Sequence, residues 1–214
     1  MKHAFIIDRH KGTNIALMAS GSMHMLDAGY GHKTYDVNEK NVYASLVFET
    51  NFTKMHNLSA GLSLNHDYLG QTVRMVNDKE ASPVRMNEKE TVPGIYAQYT
   101  FNLDHRLTAM AGIRADHSSV YGTFVTPRLH LKYMPTDILT LRLSAGKGYR
   151  TPHALAENNY LLASGRRLVI DDLEQEEAWN YGASAALNIP LLGETLKLNA
   201  EYYYTRFTLS RNRL

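Results

Sequence analysis

The feature that most limits what this chain can fold into is an alternation of period two along most of its length, since successive residues of a strand point to opposite faces. Over 106–116, Leu107, Ala109, Ala111, Ile113 and Ala115 share one face, while Thr108, Met110, Gly112, Arg114 and Asp116 share the other. Val125, Pro127, Leu129, Leu131 and Tyr133 then oppose Thr126, Arg128, His130 and Lys132. After a Pro135, Thr136, Asp137 turn, Leu139, Leu141, Leu143 and Ala145 oppose Thr140, Arg142, Ser144 and Gly146. The same pattern predicts strands over 3–10, 14–26, 41–53, 57–69, 94–104, 177–189 and 194–207, roughly ten in all. A helical period is weak almost everywhere.

Strand length separates a membrane wall from a soluble sheet. About 11 to 13 residues, at ~3.3 Å each and tilted by ~40°, rise ~28 to 33 Å, enough for an apolar band ~25 Å tall. Strands in soluble sheets stop at ~5 to 6 residues. The connections also sort by length. Short ones are expected near 11–13, 53–56, 104–105, 135–137 and 190–194; long ones near 27–40, 70–93 and 150–176, with 117–122 a brief exception. That asymmetry belongs to a transmembrane barrel with short turns at one rim and long loops at the other.

Aromatic residues gather near strand ends, as Tyr99 and Phe101, Tyr133, Tyr149, Trp179 and Tyr181, Tyr202 to Tyr204, and Phe207. In a barrel these form interfacial girdles. The polar phase carries Arg114, Asp116, Arg128, His130, Lys132 and Arg142, charges that a wet lumen tolerates and lipid does not. Arg114, Arg128, His130, Lys132 and Arg142 are therefore read as lumen-facing, and the odd-numbered apolar positions from Ile95 to Leu143 as lipid-facing. The expected fold is all-β, an antiparallel transmembrane β-barrel segment of about ten strands and an incomplete barrel, occupying 1–214. A soluble β-sandwich shares the alternation but not the strand length.

Composition narrows the function classes. The chain has 44% hydrophobic and 21% charged residues, too apolar for disorder. Its formal charge of +2 comes from interspersed residues, so no basic patch for nucleic acid is expected. The absence of cysteine removes disulfides, thiolate metal sites and a cysteine nucleophile. Phe5, Ile6 and Ile7 are too short a run for a signal peptide, and no stretch approaches the ~20 apolar residues of a spanning helix.

The most specific segment is SAGKGYRTPHALAE, 144–157, in which a strand closes on glycines, an aromatic and an arginine before Thr151 and Pro152. Proline cannot donate to a ladder, so pairing should stop there. With Gly148, Tyr149, Arg150, Pro152 and Glu157, it resembles the Gly-aromatic-Arg-x-Pro-x-x-x-Glu-Leu-like strand end of TonB-dependent outer-membrane receptors and transporters. It departs from the commoner form at Asn158, where leucine is usual. YGTFVTPRLHLKYMP (121–135), ENNYLLASGRR (157–167) and EEAWNYG (176–182) look like barrel segments of the Bacteroidetes type of this family.

The resemblance implies the outer membrane of a full-length parent, of which this chain is a fragment without the plug domain. It implies outer-membrane lipid and lipopolysaccharide as surroundings, a small-molecule nutrient (siderophore, cobalamin or glycan) as ligand, and the TonB complex as a partner only through that plug. Energy-driven import by these residues alone is not expected.

Ligand capture is expected in the loop over 151–176, where His153, Glu157, Asn158, Asn159, Tyr160, Arg166 and Arg167 offer contacts to a polar or anionic ligand. Arg166 and Arg167 equally suit lipopolysaccharide phosphates or plain solvation. The loop over 71–93 mixes basic with acidic residues and reads as a solvated arm. His153 and Glu157 have a His-x-x-x-Glu spacing, but in a loop they need not share a face, so no metal site and no cofactor is expected. No hydrolase or zinc motif is present, and no enzyme is expected. The functional alternatives are a passive outer-membrane channel and a ten-stranded outer-membrane protease. For the protease, His66 with Asp67 and Asp116 with His117 are adjacent and so point to opposite faces.

Overall fold

The computed structural model describes residues 1–76, 82–104, 106–164, 173–191 and 194–209. Ten strands follow one another as β1 (Lys2–Asp8), β2 (Thr13–Tyr30), β3 (Lys33–Asn51), β4 (His56–Met75), β5 (Val84–Leu103), β6 (Leu107–Ser118), β7 (Gly122–Tyr133), β8 (Leu139–Arg150), β9 (Glu176–Leu191) and β10 (Glu194–Leu209). They form one antiparallel meander in sequence order, with β1 and β10 at its open edges. The all-β, unclosed architecture read from the alternation is thus the observed one.

The strands longer than expected are β2 to β5, of 18, 19, 20 and 20 residues, against 12 in each of β6 to β8. Twenty residues at ~3.3 Å and ~40° tilt rise ~50 Å, about twice a bilayer's apolar band. The expected loop over 27–40 is instead ladder, Leu26↔Val37 through Tyr30↔Lys33, closed by Gly31 and His32 alone. Gly31 turns there at φ +61°, a conformation that costs glycine nothing. Much of the loop expected over 70–93 is likewise ladder, from Gly70↔Asn87 to Val73↔Val84. The extra length lies at the end of the sheet away from the short connections 9–12, 52–55, 104–106 and 134–138.

The two faces differ as the alternation requires. Leu46, Leu62, Leu64, Ile95, Ile113, Leu129 and Leu143 are exposed on one of them. The opposite face carries a recess of about 590 Å³ lined from seven consecutive strands, β2 to β8, with Met18, Tyr43, Tyr96, Arg114 and Arg128 among its residues. A recess shared by so many strands forms only where a sheet curls around it, so this is the concave face.

Candidate functional site at the concave mouth

Arg114, on β6, points its guanidinium onto Asp116 two residues along the same face, Nε to Oδ2 at 2.6 Å and Nη2 to Oδ1 at 2.5 Å, and Nη2 also donates to Ser63 Oγ at 2.7 Å. Gly94 stands opposite Asp116 in the ladder, and a Cβ there would lie 2.0 Å from Asp116 Oδ1. Arg128 Nη2 donates to the neutral Gln98 Oε1 at 2.6 Å. His130, Lys132 and Arg142 line a second concave recess, of about 490 Å³, nearer the short turns. All five residues read as lumen-facing therefore border concave recesses.

One phase change was not visible in the alternation. The β7–β8 ladder stops at Arg128↔Gly146. Beyond it Lys147 and Tyr149 line the Arg114 recess, although strict alternation from Leu141 would place them with the convex residues. The Tyr149 ring packs on Phe124 at 4.6 Å between centroids, and Lys147 Nζ lies 4.8 Å from the Tyr149 ring centre and 2.8 Å from Glu177 Oε1. Tyr149 thus faces inward and does not join a convex girdle, whereas Tyr181 stacks on Tyr204 and Trp179.

At the projecting end, a recess of about 630 Å³ is bounded by Asp67, Glu88, Glu90, Tyr121, Thr151 and His153, among others. Glu88 and Glu90 sit two apart on β5 and so share a face. Glu88 Oε1 accepts from Gln71 Nε2 at 2.8 Å, and Gln71 Oε1 accepts from Tyr35 OH at 2.6 Å. Glu88 Oε2 accepts from His153 Nδ1 at 2.7 Å, which fixes a proton on that nitrogen. Glu90 accepts from Thr151 Oγ1 at 2.9 Å and from Ser118 Oγ. Burial, with Glu90 and Glu88 close by, raises the Tyr121 phenol above its ordinary pKa, so it stays a hydrogen-bond donor.

A strap of chain after β8 lies across this end. It consists of a short helix (Ala154–Glu157) and a 3-10 turn (Asn159–Ala163). Leu155 and Leu162 bury against Tyr35, with Leu26, Tyr30, Val37, Val73 and Met86 around them. Tyr30 OH donates to Asn159 Oδ1 at 2.8 Å and Lys33 Nζ to the Ser164 carbonyl at 3.1 Å. Arg150 ties the base of the strap: Nε donates to Glu176 Oε2 at 2.8 Å and Nη2 to Glu157 Oε2 at 2.9 Å. The arginine and glutamate of the Gly-aromatic-Arg segment therefore pair with each other.

The loop residues singled out from the sequence have different fates. His153 reaches the recess. Glu157 is occupied by Arg150 and the His153 backbone N–H, while the His153 imidazole bonds to Glu88. Asn158 closes its own helix through the Ala154 carbonyl, Asn159 anchors the strap, and Tyr160 is exposed. Arg166 and Arg167 lie outside the described residues. The stretch read as a solvated arm contributes Asn87, Glu88, Lys89 and Glu90 to the recess, and its Gln71, bonded to Glu88, is only 1% exposed. Glu88 and Glu90 share the even phase of Tyr96 and Gln98, a signal obscured because Asn87 and Lys89 between them are polar too. Among the described residues no three histidines or carboxylates are grouped to hold a metal ion.

A family model described as TonB dependent receptor-like, beta-barrel matches residues 10–208. No curated protein sequence matches the chain. Solved structures with the same fold include the siderophore receptor PirA from Pseudomonas aeruginosa, at 15% identity and TM-score 0.58, covering 91% of this chain and 39% of that one. The copper transporter OprC aligns at 12% identity and TM-score 0.62 over 90% of this chain and 35% of its own. The ferric yersiniabactin uptake receptor FyuA from Yersinia pestis aligns at 16% identity and TM-score 0.57, over 91% and 33% respectively. The chain thus spans between a third and two fifths of the length of these structures.

Proposed function

This chain belongs to the TonB-dependent receptor β-barrel family, a family of outer-membrane receptors and not of enzymes, and we propose that it forms part of the wall of an energy-coupled importer for a scarce nutrient. The observation that carries the proposal is the mouth: β2 to β5 project at one end, and a strap with its own apolar seat folds over the concave side there. A ligand entering from that end meets the Glu88, Glu90, Tyr121 and His153 recess before it reaches Arg114 and Arg128 deeper on the same face.

In this reading the convex leucines and isoleucines face lipid, the projecting hairpins stand outside the cell among lipopolysaccharide, and the short turns face the periplasm. Coupling to TonB belongs to a plug domain threaded inside such barrels and not to these wall strands. The recognised nutrient is a siderophore, cobalamin or glycan, the mouth recess offering carboxylates and a phenol O–H for polar groups. The solved neighbours named for siderophores and for copper support the transport class without choosing the ligand.

The test is uptake by cells that carry the full-length parent, measured with radiolabelled ferric siderophores, cobalamin and oligosaccharides, with and without TonB. Accumulation of one class that stops when TonB is deleted is expected. Equilibrating flux that persists without TonB would instead establish a passive channel and refute the proposal.

A further inference from the structure

Lys132 on β7 and Arg142 on β8 are direct cross-strand partners. Both belong to the concave phase, so their side chains leave the sheet side by side, with Cα atoms ~4.5 to 5.5 Å apart. Like charges in that position are unfavourable. Their onward neighbours in the same row are Thr108 beyond Lys132 and Ser184 beyond Arg142, both neutral. The first carboxylate in the row is Glu201, opposite Ser184 and two strands from Arg142. Among the described residues neither cation has a carboxylate within the 4.0 Å of an ion pair, although Arg114 on β6 and Lys147 and Arg150 further along β8 all do.

The surroundings of the pair are shaped as well as charged. Lys132 and Arg142 line the recess of about 490 Å³ together with His130, Ser144 and Tyr203. Its floor is kept low by Gly182, where a Cβ would lie 2.6 Å from Ser144 Oγ and 2.9 Å from the Tyr203 ring. The ammonium, the guanidinium and the Ser144 hydroxyl border it as donors, and among the described residues no acidic group lines it, the Glu201 carboxylate accepting from Tyr203 OH at 3.3 Å and bordering an adjoining recess with Arg142. A guanidinium fork beside an ammonium is the donor set that carboxylate and phosphate oxygens fit.

We propose that this recess is an anion-binding site in the short-turn half of the concave wall, in which Lys132 and Arg142 jointly hold one phosphate or carboxylate group of a small solute. The bound anion supplies the counter-charge that the sheet withholds. The site lies apart from the mouth recess and does not depend on which nutrient is imported.

The experiment uses the full-length parent purified in detergent, with inorganic phosphate and citrate as probes against sodium chloride at equal ionic strength, read as a shift in melting temperature and by calorimetric titration. Saturable stabilisation by at least one probe is expected, since a ligand that binds only the folded state raises its stability. Lys132→Gln and Arg142→Gln should each weaken binding at least tenfold, and Arg142→Lys should restore part of it. Thr108→Asp keeps both cations and places a carboxylate beside Lys132, so it should abolish the probe effect even if either glutamine variant folds poorly. Absence of stabilisation by either probe, or an equal shift in wild type and Thr108→Asp, would overturn the proposal. Uptake is not part of the readout, so failure here leaves the import reading standing.

Discussion

Leu155→Ala should release the strap without unfolding the sheet. Leu155 is 2% exposed and packs with Tyr35 at 0% and Leu162 at 8%. Truncating a well-packed leucine costs ~2 to 5 kcal/mol. This cluster faces an open mouth that water can enter, so the lower part of the range, ~2 to 3 kcal/mol, applies. The polar ties of Tyr30 to Asn159, Lys33 to Ser164, His153 to Glu88 and Thr151 to Glu90 remain. Each contributes ~0.5 to 1.5 kcal/mol net, so the strap stays docked but opens more often. At 1.4 kcal/mol per factor of ten, the opening equilibrium rises ~30- to 150-fold. Amide hydrogen exchange on the full-length parent reads this directly at the Glu157, Leu161 and Ser164 N–H groups, which bond to the His153, Asn158 and Leu161 carbonyls. Leu161→Ala, at a side chain 42% exposed, is the control and should change little. Unchanged exchange at those amides in Leu155→Ala, or equal acceleration in the β6–β7 ladder, would refute the assignment of the strap's stability to this cluster.

Two further substitutions test the faces of the sheet. Leu129→Lys places a charge among the convex residues and should cost ~2 to 4 kcal/mol if it lies near the bilayer midplane, whereas Thr126→Lys on the concave side should cost far less; folding titrations in lipid vesicles compare the two, and equal costs would mean the faces are misassigned. Gly94→Ala drives a methyl into the Asp116 carboxylate and so should break the Arg114 clamp. A structure of that variant should show Asp116 displaced from Arg114, while an intact clamp would mean the backbone yields instead.

The legible part of this fold was the part in which the two faces meet different surroundings. Over Ile95 to Leu143, apolar and polar residues alternate, and the observed register follows them, with Leu129 and Leu143 exposed on the convex face and Arg114 and Arg128 bordering the concave recess. The upper halves of β2 to β5 were less legible. Tyr35 and Val37 do alternate with Asp36, Asn38 and Lys40, but Glu39 breaks the apolar row, and Leu155 and Leu162, against which Tyr35 and Val37 pack, come from the strap far along the sequence, while the backbone ladder runs on. The motif at 148–157 marked the end of β8, at Arg150, but not the pairing of Arg150 with Glu157, which from the sequence reads as a ligand contact. It did not disclose the strap's seat, because Tyr35, Gln71 and Glu88 come from strands far away in the sequence.

The separation of sheet from strap follows from where burial occurs. Among the described residues the buried hydrophobic ones are Ala16, Tyr35, Leu69, Leu155 and Leu162, and three of these five form the strap's seat. Among the described residues the sheet carries no comparable buried cluster; many of its apolar side chains are exposed, and its order comes from the ladders. A small apolar seat with a set of polar ties, Arg150 to Glu157 among them, is thus the piece of this chain whose docking can change with the ladders kept. Because the seat and the acidic recess share the Tyr35–Gln71–Glu88 relay, any ligand that competes with His153 for Glu88 acts on strap and recess together. Glu88→Gln keeps the shape but weakens the charge-assisted bond to His153, so it should loosen the strap, detected as faster exchange at Glu157, while leaving exchange in β6 and β7 unchanged.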